Sequence, residues 1–491
     1  MGREGRYGKG EVMQLELFSQ TAVKTYEGAG PEMVGGVPPT ATGAGAKRED
    51  RKQQVLPALG IEMEEIANVT NLRKAFEEVA KNKGAPGPDG QSIDEVRKHL
   101  DRLLPQLSEA LLEDQYRPGE VRRVWIPKPG GHRGLGIPNV VDRLVQQAVL
   151  RVMQPYIDPT FDRSSHGFRP GKSCHTAIAE ARGYVEGGHR WVVDIDLEKF
   201  FDRVNHQRLQ AALERMINDR RIIVLIKRML KTSTVMPDGV VVRNVEGTPQ
   251  GGPLSPLLSN IVLSELDAEL RRRGHKFVRY ADDCNIYVRS EQAGLRVMES
   301  ISRFIEKRMR LKVNVAKSAV ALPQERHFLG FRLEVDLEAG LVNTRLSKRS
   351  KERIDAKLKE LTPRNWGNKL AFCIERLNNY LEGWMGFFHI CTEVELKTFA
   401  RLDAHIRRRL RATILKQWKC KRTIVKKLIR LGASPAAARR AIFQGKRSLW
   451  KLSHTPVVDR ALSNAYFAGR GLTSLKTSWL KRHPVPSVQL A

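Results

Sequence analysis

Two separated stretches of this chain place acidic side chains where they could work together. In Trp191-Val192-Val193-Asp194-Ile195-Asp196-Leu197, strand alternation puts Asp194 and Asp196 on one face and Trp191, Val193, Ile195 and Leu197 on the other. From Lys276 to Val288, two strand-like runs flank a tight turn that carries Asp282 and Asp283. Aspartate is common in turns for purely conformational reasons, so either stretch alone says little. If the two were neighbouring strands, three carboxylates would crowd one spot, and each pair at about 4 Å would repel by roughly 4 kcal/mol at an effective dielectric of 20. Divalent cations relieve such crowding. Oxygen-only ligands favour Mg²⁺, and two Mg²⁺ roughly 3.5 to 4 Å apart suit an in-line phosphoryl transfer.

Nucleotide chemistry would also need cations and shaped backbone. The hairpin Ile126-Pro127-Lys128-Pro129-Gly130-Gly131-His132-Arg133 offers Lys128 and Arg133 on a Gly-rich turn, suited to phosphate oxygens. Phe201 follows Asp196 by five residues, where the strand gives way to a helical run, so its ring could close the space of a ribose 2′-hydroxyl. The stretch Gly247-Thr248-Pro249-Gln250-Gly251-Gly252-Pro253-Leu254-Ser255-Pro256 is a stiff turn opening a helix with Leu258, Val262, Leu266 and Leu270 along one stripe. Its glycines expose backbone that could lie against a nucleotide or template.

These residues must be positioned by a mixed α and β layer, since strand-like and helical runs alternate between about 190 and 335. Past about 345 long basic helical patterns replace the strands. The whole chain has 491 residues and a formal charge of +31, with 41% apolar residues. That excess demands a polyanionic partner or a very anionic surface, and the length exceeds what one hydrophobic core supports. Arg345 to Lys451 holds 28 Lys or Arg against 8 Asp or Glu, and the run between Asp403 and Asp459 has no acid but sixteen Lys or Arg. This acid-free run is interleaved with Trp418, Phe443 and Trp450, and Arg407, Arg408, Arg409 and Arg411 within it are expected to face RNA. No stretch approaches the roughly 18 apolar residues of a membrane span. The five cysteines are scattered and lack C-x-x-C spacing, which argues against a zinc site or a disulfide frame. Residues 1–58, rich in Gly, Pro, Thr and charge, read as a flexible extension.

Taken in order, VRRVWIPKPGGHRGLGIPNVVDRLVQQAV, SHGFRPGKSCHTAI, VVDIDLEKFFDRVNH, EGTPQGGPLSPLLSNI, RYADD, LKVNVAKS and HFLGF resemble a reverse transcriptase, specifically the reverse transcriptase/maturase encoded by group II introns. The resemblance implies an α+β right-hand polymerase, with fingers and an antiparallel palm sheet followed by an α-helical thumb and a basic C-terminal region. Its divisions would be 59–190 for the N-terminal and fingers region, 191–340 for the palm, 341–420 for the thumb or maturase domain, and 421–491 for a basic DNA-binding region. Asp196, Asp282 and Asp283 would be the polymerase carboxylates, with Asp196 and Asp282 the principal ligands of two Mg²⁺. Lys128 and Arg133 would hold a deoxynucleoside triphosphate, Phe201 would exclude ribonucleotides, Gln250 and Gly251 would line the nucleotide and template pocket, and Lys317 would sit near the triphosphate. Asp194 and Asp202 would be structural. The implied partners are intron RNA, an RNA template with a DNA primer, and target DNA, in a cytoplasmic bacterial ribonucleoprotein. With no His/Cys-bearing endonuclease segment after the basic region, the chain is similar to the compact class C lineage. Two rivals carry the same motifs: a splicing cofactor with a vestigial polymerase, and a host-adapted reverse transcriptase.

Overall fold

A computed structural model describes residues 60–128, 131–363, 367–444 and 448–484. The expected 1–58 extension lies outside them. The chain divides into two compact units, one running to Ala321 apart from Val185–Gly188, the other formed by that short segment with Leu322 onward.

The first unit is built around two sheets. In one, β1 (Val121–Lys128) and β2 (Gly131–Ile137) form an antiparallel hairpin, extended by the two-residue strands β4 (Thr234–Val235) and β5 (Val241–Val242). The other runs β6 (Lys276–Tyr280), β7 (Asp283–Val288), β3 (Trp191–Ile195), β8 (Ala319–Ala321), antiparallel throughout. Its inner face is apolar: Val193, Ile195, Phe277 and Ile286 are all fully buried. Alternation explains this, because residues two apart share a face and one face must leave water. Helices Val140–Ile157, Ser255–Arg272 and Glu291–Phe304 are among those that contribute further apolar side chains to this core. The Glu291–Phe304 helix starts where Ser290 accepts a hydrogen bond from the Ala293 amide, an N-cap that satisfies an otherwise orphaned donor.

The expected helical run after β3 begins instead as a single 3₁₀ turn, Phe200–Asp202, and the helix proper covers His206–Glu214. Lys199, with φ +50°, breaks the continuity. Phe200 turns inward to 2% exposure while Phe201 stays half-buried.

In the second unit the strands end with the hairpin β9 (Phe331–Asp336) and β10 (Leu341–Leu346), and helices follow. Trp384 and Phe388 lie 4.6 Å apart at their ring centroids, with Phe331 against Phe388 at 5.2 Å. Asp403, buried on helix Leu396–Gln417, accepts hydrogen bonds from Leu475 N (2.8 Å), Lys476 N (3.2 Å) and Ser474 Oγ (2.7 Å), so a carboxylate faces the positive end of helix Leu475–Arg482. The expectation that Arg407, Arg408, Arg409 and Arg411 all face RNA is corrected here. Arg409 and Arg411 are each 7% exposed. Arg409 donates to Lys359 O (3.2 Å) and Thr362 O (2.7 Å) at the end of helix Lys348–Leu361, and Arg411 Nε donates to Leu462 O at 2.9 Å. Composition cannot reveal this, since a guanidinium satisfies exposed helix-end carbonyls as well as it binds phosphate.

Candidate active site

Strand β3 sits between β7 and β8, and its register sets the first carboxylates. Asp194 pairs with Asn285 and Ile195 with Cys284, which brings Asp196, the next residue, level with Asp283 at the start of β7. Tyr280 pairs with Asp283, so the β6–β7 turn consists of Ala281 and Asp282 alone. The two acidic stretches are therefore neighbours, and their charges interact. Burial lifts the Asp282 carboxyl above its ordinary range; Asp196 adds to the rise, while Arg133 and Lys317 oppose it. Burial, followed by the carboxylates of Asp282, Asp194 and Asp196, pushes Asp283 up to about 7. Asp283 nonetheless keeps an exposed surface, so the repulsion among the acids is the part that an arriving cation would reverse.

Cations reach this cluster from two directions. Lys317 Nζ lies 3.4 Å from Asp196 Oδ2. It belongs to a loop stitched to the end of β3, where Asn314 N donates to Asp196 O (2.8 Å) and Asp196 N donates to Ser318 Oγ (3.0 Å). Arg133, on β2, donates from Nε to Gln250 Oε1 at 2.9 Å. The Gln250 carbonyl in turn accepts from Gly136 N at 2.8 Å, laying this loop flat on β2. Glycine is required next: Gly251 has φ +137°, and a Cβ there would stand 2.3 Å from Gly136 O. Thr248 N donates to Phe201 O at 2.7 Å, which ties the Phe201 turn to the same loop. The structure thus brings together Asp196, Asp282, Asp283, Lys317, Arg133 and Gln250, with Gly251 and Phe201 on the connected loops. Lys128 ends β1 opposite Gly131, but its side chain, with Pro129 and Gly130, lies outside the described residues.

Whether these residues fit a metal can be judged from their chemistry. Among the described residues no three His, Cys, Asp or Glu side chains form a metal-binding group by themselves. Mg²⁺ does not require one, because it keeps several waters and is commonly held by one or two carboxylates together with substrate phosphates. An all-oxygen donor set in which Asp196 and Asp282 both raise Asp283 suits such shared binding.

Sequence reasoning passed over the groups behind the turn. Ala281 has φ +56°, a left-handed conformation that costs a residue with a Cβ roughly 1–2 kcal/mol. Arg279, wholly buried, donates to the Ala281 carbonyl and to Asp267, Asn260 and Ser165. The only signal was the pair of quoted runs SHGFRP and RYADD, with nothing to join them.

Residues 126–333 match the family described as reverse transcriptase (RNA-dependent DNA polymerase), and residues 351–430 match the group II intron maturase-specific domain. Protein YkfC of Escherichia coli is 33% identical over 306 residues, covering 53% of this chain and 80% of YkfC. The chain belongs to the group II intron reverse transcriptase/maturase family. It is a reverse transcriptase of α+β architecture. The group II intron-encoded protein LtrA of Lactococcus lactis is 36% identical over 207 residues, where this reverse transcriptase spans 42% of its own length and 34% of LtrA. A chain of the partial Cas6-RT-Cas1–Cas2 complex aligns at 25% identity over 49% of this reverse transcriptase and 42% of that chain, with a TM-score of 0.32, a likeness too slight to bear on the argument.

A pH dependence follows from the crowded carboxylates. Asp283 holds its proton more tightly in the native state than the ordinary carboxylate value of 3.8 allows, so the stability it contributes is complete below about 3.8 and is lost as pH rises through 7. In buffer free of divalent cations, Asp283→Asn is expected to melt above the parent at pH 8, by about 1–2 °C because solvent at the exposed side chain screens the repulsion, and level with it at pH 4. A difference of the same size at both pH values would remove Asp283 from the cluster.

Proposed function

We propose that the first unit copies RNA into DNA with Asp196 and Asp282 as the principal Mg²⁺ ligands and Asp283 as the third carboxylate. The observation that carries this reading is the meeting of the two acidic stretches on adjacent strands β3 and β7, with Asp196 and Asp282 each raising the charge burden of Asp283. Bound Mg²⁺ supplies charge neutralisation at the transferring phosphoryl group and activates the attacking primer hydroxyl. The chain's own side chains do the rest. Arg133 and Lys317, with Lys128, hold the triphosphate; Gln250 and Gly251 line the nucleotide and template pocket, with Gln250 fixing Arg133 through its amide oxygen. Phe201 closes the space beside the sugar, supported edge-on by Phe200 at 5.4 Å between centroids.

In the same reading residues 59–190 form the N-terminal and fingers region, 191–340 the palm, 341–420 the thumb or maturase domain and 421–491 a basic DNA-binding region. The match of residues 351–430 to a maturase-specific domain supports intron-RNA binding and splicing assistance; mobility and a cytoplasmic ribonucleoprotein belong to the same reading. Among the described residues no helix is long and apolar enough to cross a membrane. A groove of about 360 Å³ lined by Arg422, Lys426, Arg439 and Phe443 adds cations beside an exposed aromatic ring, a combination that suits unpaired nucleotides.

The deciding experiment incubates the protein with its flanking RNA, primer, Mg²⁺ and deoxynucleotides and scores spliced RNA and cDNA together. Both products are expected; splicing without cDNA would leave only the cofactor role. For the sugar gate, Phe201→Ala is expected to raise ribonucleotide incorporation at least tenfold relative to deoxynucleotides. Unchanged sugar selectivity would remove that role.

A further inference from the structure

The turn that presents Asp282 is held from behind by a charged group sealed from solvent. Arg279 has no exposed surface, and its partner Asp267, on helix Ser255–Arg272, has 1%. All five of its N–H groups are used. Nε and Nη2 donate to the two oxygens of Asp267 at 2.7 and 2.6 Å, and Nη2 also donates to Ser165 Oγ at 2.7 Å. Nη1 donates to Asn260 Oδ1 at 3.0 Å and to the Ala281 carbonyl at 2.9 Å.

The last of these bonds carries the argument. Ala281 is the left-handed residue of a two-residue turn, and its carbonyl belongs to the peptide that leads into Asp282. Fixing that carbonyl fixes the plane of the peptide, and with it the direction in which the Asp282 side chain leaves the backbone. The backbone of Gly167 presses on the same residue: a Cβ at Gly167 would stand 2.2 Å from Ala281 N. Gly167 is itself held, since its carbonyl accepts from Asn260 Nδ2 at 2.8 Å. The Ser164–His166 segment runs along the outer edge of β6, with Arg279 N donating to Ser164 O (2.9 Å) and His166 N donating to Arg279 O (2.8 Å). Asn260 and Asp267 are seven residues apart on one helix, two turns, and so share the face that meets the turn.

An ion pair buried this deeply is a poor way to gain stability, because apolar side chains of the same volume often do as well or better. Directionality is what apolar packing cannot supply. The geometry points to Arg279 as a positioning residue for polymerisation: clamped by Asp267 and Asn260, it holds the left-handed Ala281 peptide so that Asp282 and Asp283 face Asp196. This rests on the reading of those aspartates as the metal-binding carboxylates.

The test compares the full-length protein with Arg279→Lys, which keeps the charge against Asp267 but cannot reach Asn260 and the Ala281 carbonyl at once. Two readouts are taken: primer extension on an RNA template with Mg²⁺, and Mn²⁺ affinity by electron paramagnetic resonance in the absence of nucleotide. In folded Arg279→Lys, Mn²⁺ binding is expected to weaken roughly tenfold and kcat to fall on the order of 10- to 100-fold, with KM for deoxynucleotide within a few-fold. Adding Ala281→Gly should recover part of both losses, since glycine takes the positive φ unaided. Wild-type Mn²⁺ affinity and kcat in the folded variant would overturn the proposal, as would losses that merely track the unfolded fraction in melting curves. Should Arg279→Lys fail to fold, Asn260→Ala removes one arm of the clamp while keeping the Arg279–Asp267 pair; the same losses, smaller in size, are expected in the folded variant, and their absence overturns the proposal equally. Asp282→Ala is run in parallel. If it still extends primers, the carboxylate assignment fails; if it is inactive while Arg279→Lys matches the parent, only the clamp is refuted.

Discussion

Asp282→Ala is expected to reduce primer extension on an RNA template by on the order of 10³-fold or more while leaving the affinity for intron RNA within a few-fold. Asp282 stands alone with Ala281 at the tip of a two-residue turn, and its charge lies within range of Asp196, Arg133 and Lys317 at once. Removing it takes away a cation ligand without disturbing the apolar side of the sheet, where Phe277 and Ile286 are fully buried. The affinity half of the prediction depends on where the positive charge resides, and the acid-free run between Asp403 and Asp459 is remote in sequence from the turn. The assay is single-turnover extension with a matched equilibrium binding curve. Retained extension would reject the assignment of the carboxylates, and a parallel collapse of RNA affinity would mean that the substitution had unfolded the chain.

Each acidic stretch of this site is legible by itself; their meeting is not. Asp194 and Asp196 could be read directly, because a strand with period two and one apolar face must turn its alternate residues away from the core. The hairpin was plain from two strand-like runs separated by almost nothing, but its tip is Ala281–Asp282 rather than Asp282–Asp283: Asp283 already pairs with Tyr280 and opens β7. That β3 and β7 are adjacent could not be read from spacing: their separation in sequence is large and strand order is a tertiary property. The resemblance to intron-encoded reverse transcriptases implied it, and the same resemblance alone pointed to Lys317, which meets Asp196 only because the 313–318 loop is bonded along the end of β3.

Buried charges were illegible for a different reason. Arg279 shares a strand face with Phe277, so alternation places it inside, yet an arginine is ordinarily read as solvent-facing. Only its partner Asp267 resolves the conflict, and that residue sits on another element where the sequence gives no hint of pairing. Local patterns report the face of a side chain, whereas satisfaction of a buried donor depends on groups brought by the rest of the fold.

The same distinction governs the basic region, where two substitutions of identical chemistry should part company. Arg409→Ala leaves the Lys359 and Thr362 carbonyls at a helix end without their donor and opens a cavity, which is expected to cost about 3 kcal/mol, or roughly 6–12 °C in Tm for a unit of this size. RNA binding by the fraction that remains folded should keep its salt dependence, because this guanidinium never reaches a phosphate. Replacing the exposed Lys421, Arg422 and Lys426 together by Ala should do the reverse. Their helix, Lys421–Arg430, packs through Ile424, Val425 and Leu428, so Tm should move by no more than about 2 °C. Loss of three phosphate contacts should flatten the plot of log affinity against log salt by about 2. The measurement is a salt titration of RNA binding beside a thermal melt for each variant. A flattened slope in Arg409→Ala at unchanged Tm would place that side chain at the nucleic acid after all, and an unaltered slope in the triple variant would mean that RNA lies against a different face of the second unit.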